Sequence, residues 1–359
     1  MRKRILFICG SMNQTTQMHQ ISRHLTDYEH AFTPFYCDGI YELFRKLRLM
    51  ETTVIGYKLA SRCQRYLEEN QLTIDYGARN LPYDLVVTCS DVYTQKNILA
   101  SKIVLVQEGV TDPETFSYRM VTRFGLPLWL AGTAATGLSG AYRKFCVASE
   151  GYRDFFIRKG AQADKIRVTS IPNFDNCARY RHNNFPHRHY VLVCTSPLRE
   201  VFRGEDRHAF LARAVQIAAG RPLIFKLHPN ENASRAIHEI HQHAPDALVF
   251  TTGSAEEMIA NCDALITRYS STAFVGLALK KETYTDFDMD QMRRLMPEQN
   301  HCAAANIAAV CREEIEGESE CNSRFKVRND VRQEMMPSAF ERPKKMAEER
   351  SEKSTKISA

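Results

Sequence analysis

Three short stretches end in side chains that can handle protons or phosphate. The first is Ile224-Phe225-Lys226-Leu227-His228-Pro229-Asn230-Glu231, an apolar run closed by a cation, an imidazole and a proline. On a strand, Lys226 and His228 would sit at the carboxyl edge, where both can donate to phosphate oxygens. The alternative is that Pro229 forms a turn and His228 only caps the loop. The second is Leu265-Ile266-Thr267-Arg268-Tyr269-Ser270-Ser271-Thr272-Ala273-Phe274. A helix starting on Ser270, Ser271 and Thr272 offers backbone N–H groups and hydroxyls to an anion, with Arg268 adding a charged contact. Ordinary N-capping by Ser270 or Ser271 is the alternative. The third is Ile103-Val104-Leu105-Val106-Gln107-Glu108-Gly109-Val110-Thr111-Asp112. Here Glu108 is a candidate general base or acid and Asp112 its competitor, with Gln107 and Gly109 alongside. A carboxylate that caps a helix or pairs with a cation is the alternative. Gly10-Ser11, after the run Ile5–Cys9, is a fourth strand-end position.

Other chemistries lack their residues. There is no G-x-S-x-G, no H-E-x-x-H, no G-x-x-x-x-G-K-[ST] and no C-x-x-C, and Gly10-Ser11 is not a GxGxxG fingerprint. His182, His187 and His189 lack helical spacing and carboxylate partners, so a solvated stretch is expected there rather than a metal site. Phe44-Arg45-Lys46-Leu47-Arg48-Leu49-Met50, with Lys58, Arg62 and Arg65 beyond, is basic and amphipathic. It is either a solvated helix face or a contact to anionic lipid.

The elements that must position these residues alternate in kind. Short apolar runs at 5–9, 32–37, 85–89, 103–106, 145–148 and 166–169 read as strands covered on both faces, as in a parallel sheet. Amphipathic stretches such as 14–25, 41–70 (broken) and 151–159 fall between them. The alternation restarts with strands at 190–194, 222–227, 247–250, 264–267 and 283–287. Helices are expected at 207–219, 234–243, 255–261, 271–279 and 304–316. The chain has 359 residues, enough for two domains. We therefore expect an α/β protein of two Rossmann-like domains facing across a cleft. The first spans 1–172, a linker rich in Asn, His and Arg 173–189, and the second 190–316. A charged tail, 317–359, carries 10 basic and 8 acidic residues and is expected to be disordered from about 323.

Composition narrows the partners. Lys and Arg number 48 and Asp and Glu 42, so the formal charge of +6 suits a nucleotide or lipid head group without calling for nucleic acid. Eleven cysteines, several inside apolar runs, point to reduced thiols acting as small hydrophobes in a cytoplasmic compartment. The apolar run after Met1-Arg2-Lys3-Arg4 is too short for a secretory signal. No stretch approaches the ~18 apolar residues of a membrane span.

In order and spacing the motifs resemble GT-B-fold nucleotide-sugar enzymes, in the neighbourhood of UDP-N-acetylglucosamine 2-epimerases and surface-polysaccharide glycosyltransferases. The resemblance covers about 1–316. It rests on Gly10-Ser11 with Gln17-Met18, on Val106-Gln107-Glu108-Gly109, and on Gly160 with Lys165–Asp175. Leu227-His228-Pro229-Asn230 and the Ser270-Ser271-Thr272 helix start complete it. It implies a second domain that binds a UDP- or CDP-linked donor through His228, Ser270, Ser271 and Thr272, with no metal and no cofactor beyond the donor substrate. It implies a first domain that supplies the base and holds a glycan or lipid-linked acceptor. Peripheral contact to an anionic membrane is a separate expectation, drawn from the basic stretch at 44–50. Two departures stand out. Ser170 occupies a position where the family usually has Gly. Ser270-Ser271-Thr272 stands where the epimerases carry a Ser-Gly-Gly run, which speaks for a transferase over an epimerase; both departures also leave open a non-catalytic nucleotide-binding scaffold.

Overall fold

The computed structural model describes residues 2–47, 56–111, 114, 116–201 and 204–317. Asp112 and the tail from 318 onward therefore lie outside the described residues, as does Arg48–Met50 of the basic stretch. Both sheets lie in one compact unit, residues 1–315.

The first half builds six strands: β1 (Arg4–Cys9), β2 (Glu29–Pro34), β3 (Leu85–Thr88), β4 (Ile103–Val106), β5 (Lys144–Val147) and β6 (Ile166–Val168). They form one parallel sheet in the order β2-β1-β3-β4-β5-β6. Its helices are α1 (Met12–Ser22), α2 (Gly39–Lys46), α3 (Tyr57–Glu69), α4 (Phe116–Phe124) and α5 (Glu150–Lys159). The second half adds β7 (Val191–Cys194), β8 (Leu223–Lys226), β9 (Leu248–Phe250), β10 (Ala264–Thr267) and β11 (Glu282–Tyr284), parallel in the order β11-β10-β7-β8-β9. Its helices are α6 (Arg207–Ala218), α7 (Ala233–His243), α8 (Ala255–Asn261), α9 (Thr272–Ala278), α10 (Met289–Arg294) and α11 (Ala303–Glu316). This is the expected α/β architecture. β2 begins three residues before its expected start, and the 41–70 stretch holds α2 and α3. Helices α4 and α10 and the 3-10 segment Leu128–Ala135 have no counterpart among the expected elements; the last is interrupted at Gly132, whose φ is +58°.

The apolar runs are strands because both faces of each sheet are covered. One face of the first sheet packs Ile5, Phe7, Leu85 and Val104 against Met18 and Ile21 of α1, Leu67 of α3 and Ile307, Cys311 and Ile315 of α11. Helix α11 thus follows the second sheet in sequence but covers the first. The other face, with Leu6, Leu105 and Phe145, belongs to a cluster that runs through Phe174 and Tyr190 to Leu192, Leu265 and Phe274 of the second half. The outer face of the second sheet packs Val193, Phe225 and Ile266 on Phe210, Leu211 and Ile240. Of the ten cysteines among the described residues, nine are buried and none is paired, as expected for small core hydrophobes. Among the described residues no helix is long and apolar enough to cross a membrane.

The chain passes between halves twice, and the two passages lie side by side. In the stretch expected as a linker, Phe174 and Cys177 are buried, and Phe185 packs on Tyr190 and Phe250. Ser170 Oγ donates to Glu298 O at 2.7 Å, and Cys177 N donates to Gln299 Oε1 at 3.1 Å. Asp175 accepts from His301 N at its carbonyl, 3.2 Å, and from Ala303 N at its carboxylate, 2.9 Å. Ser170 sits at φ +60°, in the left-handed region where glycine is easiest to accommodate. The Glu298 carbonyl supplies a partner for the serine that stands in this conformation.

Candidate functional site

In open α/β sheets, ligands bind beyond the carboxyl ends of strands where the strand order reverses. The first sheet reverses between β1 and β3, the second between β7 and β10. A cavity of about 250 Å³ opens there, lined by Asn13 after β1, Cys89 after β3 and Gln107–Thr111 after β4. Its other walls are Thr133 and Thr136, and Tyr269, Ser271 and Phe287 of the second half. A Cβ on Gly109 would lie 3.7 Å from the Ser271 Cβ, so the halves are in contact at this point.

Glu108 is the carboxylate in that lining, and it is held firmly. Ser11 Oγ donates to its Oε1 at 2.5 Å, Gln14 Nε2 to its Oε2 at 2.6 Å, and Gln17 Nε2 to its carbonyl at 2.8 Å. Ser11 also N-caps α1, accepting from Gln14 N at 3.2 Å, so the clamp is built on a helix start. Gly10 leaves room for it: a Cβ there would lie 2.1 Å from Gln14 Oε1. Gln107 closes the loop from below, accepting from Ala148 N at 2.9 Å and donating to Gly109 O at 2.8 Å. Gly10, Ser11, Gln107, Glu108 and Gly109 therefore form one assembly. The sequence located them separately but did not single out Gln14 as a clamp. Its signal was position alone, one turn beyond the Ser11 cap.

The second half places its candidates unevenly. Ser271 faces the cavity and caps α9 through its backbone position, without a side-chain cap bond. Ser270 Oγ accepts from Thr272 N and Thr272 Oγ1, at 3.3 and 2.9 Å. Arg268 is engaged elsewhere: its Nε donates to Asp286 Oδ2 at 2.6 Å, and its guanidinium lies over the Phe210 ring. Lys226 is buried and donates to the carbonyls of Leu227 and Thr251, at 3.0 and 3.5 Å. Burial pushes its ammonium down from the usual lysine range. Both cations stand at strand ends as expected, but each is engaged by protein groups and neither reaches the cavity lining.

His228 is held as a neutral ring. Burial, and then the positive charges of Lys226 and of Arg62 on α3, push it down to about 4. Its Nδ1 accepts from Asn230 N at 3.1 Å, which assigns the proton of the neutral ring to Nε2. His228 is thus a hydrogen-bond donor rather than a fixed cation, positioned by its own backbone. His228 N donates to Glu231 Oε2 at 2.9 Å, and Glu231 N returns a bond to His228 O at 3.0 Å.

Sequence reasoning assigned no role to the ion network behind this turn. Glu231 Oε1 accepts from Arg207 Nη2 at 2.5 Å, and Arg207 lies 3.0 Å from Glu205. All three side chains are at most 2% exposed. Arg199 pairs with Glu239 at 2.7 Å and approaches Glu205 at 3.5 Å. Burial raises the Glu205 carboxyl, opposed by Arg207, Arg199 and Arg268. The available signal was the Glu231 spacing, three residues after His228 in a turn. Among the described residues, no group of three or more His, Cys, Asp or Glu side chains is placed to hold a metal ion.

Two Rossmann-like parallel sheets that meet at their carboxyl ends define the GT-B fold of nucleotide-sugar enzymes, and this chain has that fold. A protein of Listeria monocytogenes described as a UDP-N-acetylglucosamine 2-epimerase superposes with a TM-score of 0.57. The match spans 89% of this chain and 98% of that one, at 10% identity. The UDP-GlcNAc 2-epimerase of Neisseria meningitidis, solved with UDP-GlcNAc bound, gives 0.51 over 86% of this chain and 100% of its own, at 10% identity. MnaA of S. aureus, solved with UDP, gives 0.51 over 88% of each chain, again at 10%. No protein-family model and no curated protein matches the sequence.

Proposed function

We propose that the chain is a glycosyltransferase-type enzyme that moves a sugar, or a related group, from a nucleotide-diphosphate donor to a hydroxyl of a glycan or lipid-linked acceptor. The observation that carries this reading is Glu108: a carboxylate fixed by Ser11 and Gln14 in a cavity whose opposite wall carries Ser271. Glu108 takes the proton of the acceptor hydroxyl as its oxygen attacks the activated carbon. The bond from that carbon to the donor phosphate breaks, and its electron pair leaves with the diphosphate. The Nε2–H of His228 and the hydroxyls of Ser270, Ser271 and Thr272 are the donors assigned to that developing charge. Lys226 and Arg268 act behind them, through the loop carbonyls and Asp286. Asp112 remains the competing base.

Two measurements test this. A melting screen across UDP- and CDP-linked donors is expected to show stabilisation that His228→Ala removes; silence toward every nucleotide diphosphate overturns the donor site. Glu108→Gln is expected to lower turnover by about 10²–10⁴-fold while donor stabilisation persists. Unchanged turnover removes Glu108 as base. Conversion of the nucleotide sugar in the absence of any acceptor would instead mark a 2-epimerase working from the same pocket.

A further inference from the structure

Helix α4 turns large apolar side chains outward. Phe116 is 78% exposed and Phe124 62%, and just beyond the helix Leu126 and Leu130 are 40% and 42% exposed. The buried side of the same helix is ordinary: Tyr118 and Val121 pack on Ala131, Ala134 and Ala135 of the 3-10 segment. The outward residues are therefore surplus to the core. A cluster of large exposed apolar residues on one short segment marks an interaction surface.

Charge says what kind of surface. Arg119 and Arg123 are exposed on the same side of α4 as Phe116, at helical spacings of three and seven, and neither guanidinium has an ion-pair partner among the described residues. Residues 116–149 hold four Arg or Lys and no Asp or Glu, in a chain with 42 acidic residues. A stretch of that length would hold about four carboxylates if they were evenly spread. The protein's one tryptophan, Trp129, lies half-buried in this segment. Its indole N–H donates to Tyr41 OH of α2 at 2.7 Å, which ties α2 to the 3-10 segment. Apolar side chains flanked by unpaired cations, with an aromatic at their base, are the composition that binds an anionic bilayer surface.

We infer that α4 and the Leu126–Leu130 edge form a membrane-docking face that inserts Phe116, Phe124, Leu126 and Leu130 among anionic lipids. The same 3-10 segment and the residue after it supply Thr133 and Thr136 to the Glu108 cavity, so a docked molecule holds that cavity close to the lipid head groups. This goes beyond the transfer reading and does not depend on it, because docking is measured without donor or acceptor.

The full chain is floated with vesicles of phosphatidylcholine alone and of three parts phosphatidylcholine to one part phosphatidylglycerol. Flotation is expected with the second only and weakens with salt. Trp129 emission is expected to shift to the blue, and brominated acyl chains to quench it. Arg119→Gln with Arg123→Gln lowers the partition coefficient about tenfold or more. Phe116→Ser with Phe124→Ser abolishes flotation while melting and donor stabilisation stay at wild-type values. No flotation on the anionic vesicles overturns the inference, and so does flotation that both double variants retain. Flotation with an unresponsive Trp129 overturns this choice of face. A dimer in solution that the Phe→Ser pair dissociates would assign the face to a second copy, which also overturns it.

Discussion

Single residues in this chain are held by short, specific contacts, and their substitution separates position from chemistry. Ser170 combines a left-handed backbone with a bond to the Glu298 carbonyl. Ser170→Ala keeps the conformation and leaves that carbonyl short of a partner, at an expected cost of about 1–2 kcal/mol. Ser170→Gly loses the same bond but relaxes the backbone, so denaturant midpoints should rank serine above glycine and glycine above alanine. His228 gives a pH signature. Its folded value lies near 4, below its ordinary 6.5, so the unfolded chain binds this proton first as pH falls. Its contribution to stability is full above pH 6.5 and is lost as pH drops toward 4. His228→Gln should flatten the stability–pH slope in that window and leave the slope near neutrality alone. The sequence made His228 and Glu108 visible because strand ends are where such side chains matter. The burial that keeps His228 neutral, and the Arg62 charge of α3 that adds to it, arise from tertiary packing, and no local pattern carries them.

Elements rather than residues decide whether the loop after β8 keeps its shape. Glu231 ties the start of the His228 turn to Thr195 after β7 and to Arg207 at the first turn of α6. Removing one member of a buried ion group leaves its partners charged and unpaired, which typically costs about 3–5 kcal/mol. Arg207→Met is therefore expected to lower the unfolding free energy by that order, measured in denaturant, and to weaken donor binding as the turn loosens. Double replacement of Arg207 and Glu231 by apolar residues should recover part of the stability without the donor affinity. The strands were legible because continuous apolar runs such as 103–106 and 191–194 fit only sheets buried on both faces. Side-chain direction at their ends was not. Lys226 looks like a phosphate ligand in one dimension, yet its ammonium finds two carbonyls first.

The whole molecule is laced rather than beaded. Ile307, Cys311 and Ile315 of α11 complete a face of the first sheet although they come last in the folded sequence, and an amphipathic helix does not announce which sheet it will cover. A fragment ending at 172 should accordingly expose that face and fail to give a cooperative melt, whereas the chain through 317 melts as one. A cooperative fragment 1–172 would show that α11 is dispensable. The same return of the chain constrains how the cleft can breathe. Two backbone segments, one outgoing after β6 and one returning at 295–302, join the halves, and Ser170, Asp175 and Gln299 fasten them together. A pair of adjacent straps behaves like the two leaves of a door on one pin. It permits swinging about the line of the straps and resists both twisting and sliding. Under the transfer reading proposed above, Glu108 and Ser271 would separate to admit a substrate and come back to the same registration, aimed by the geometry of the joint rather than by the substrate that enters it.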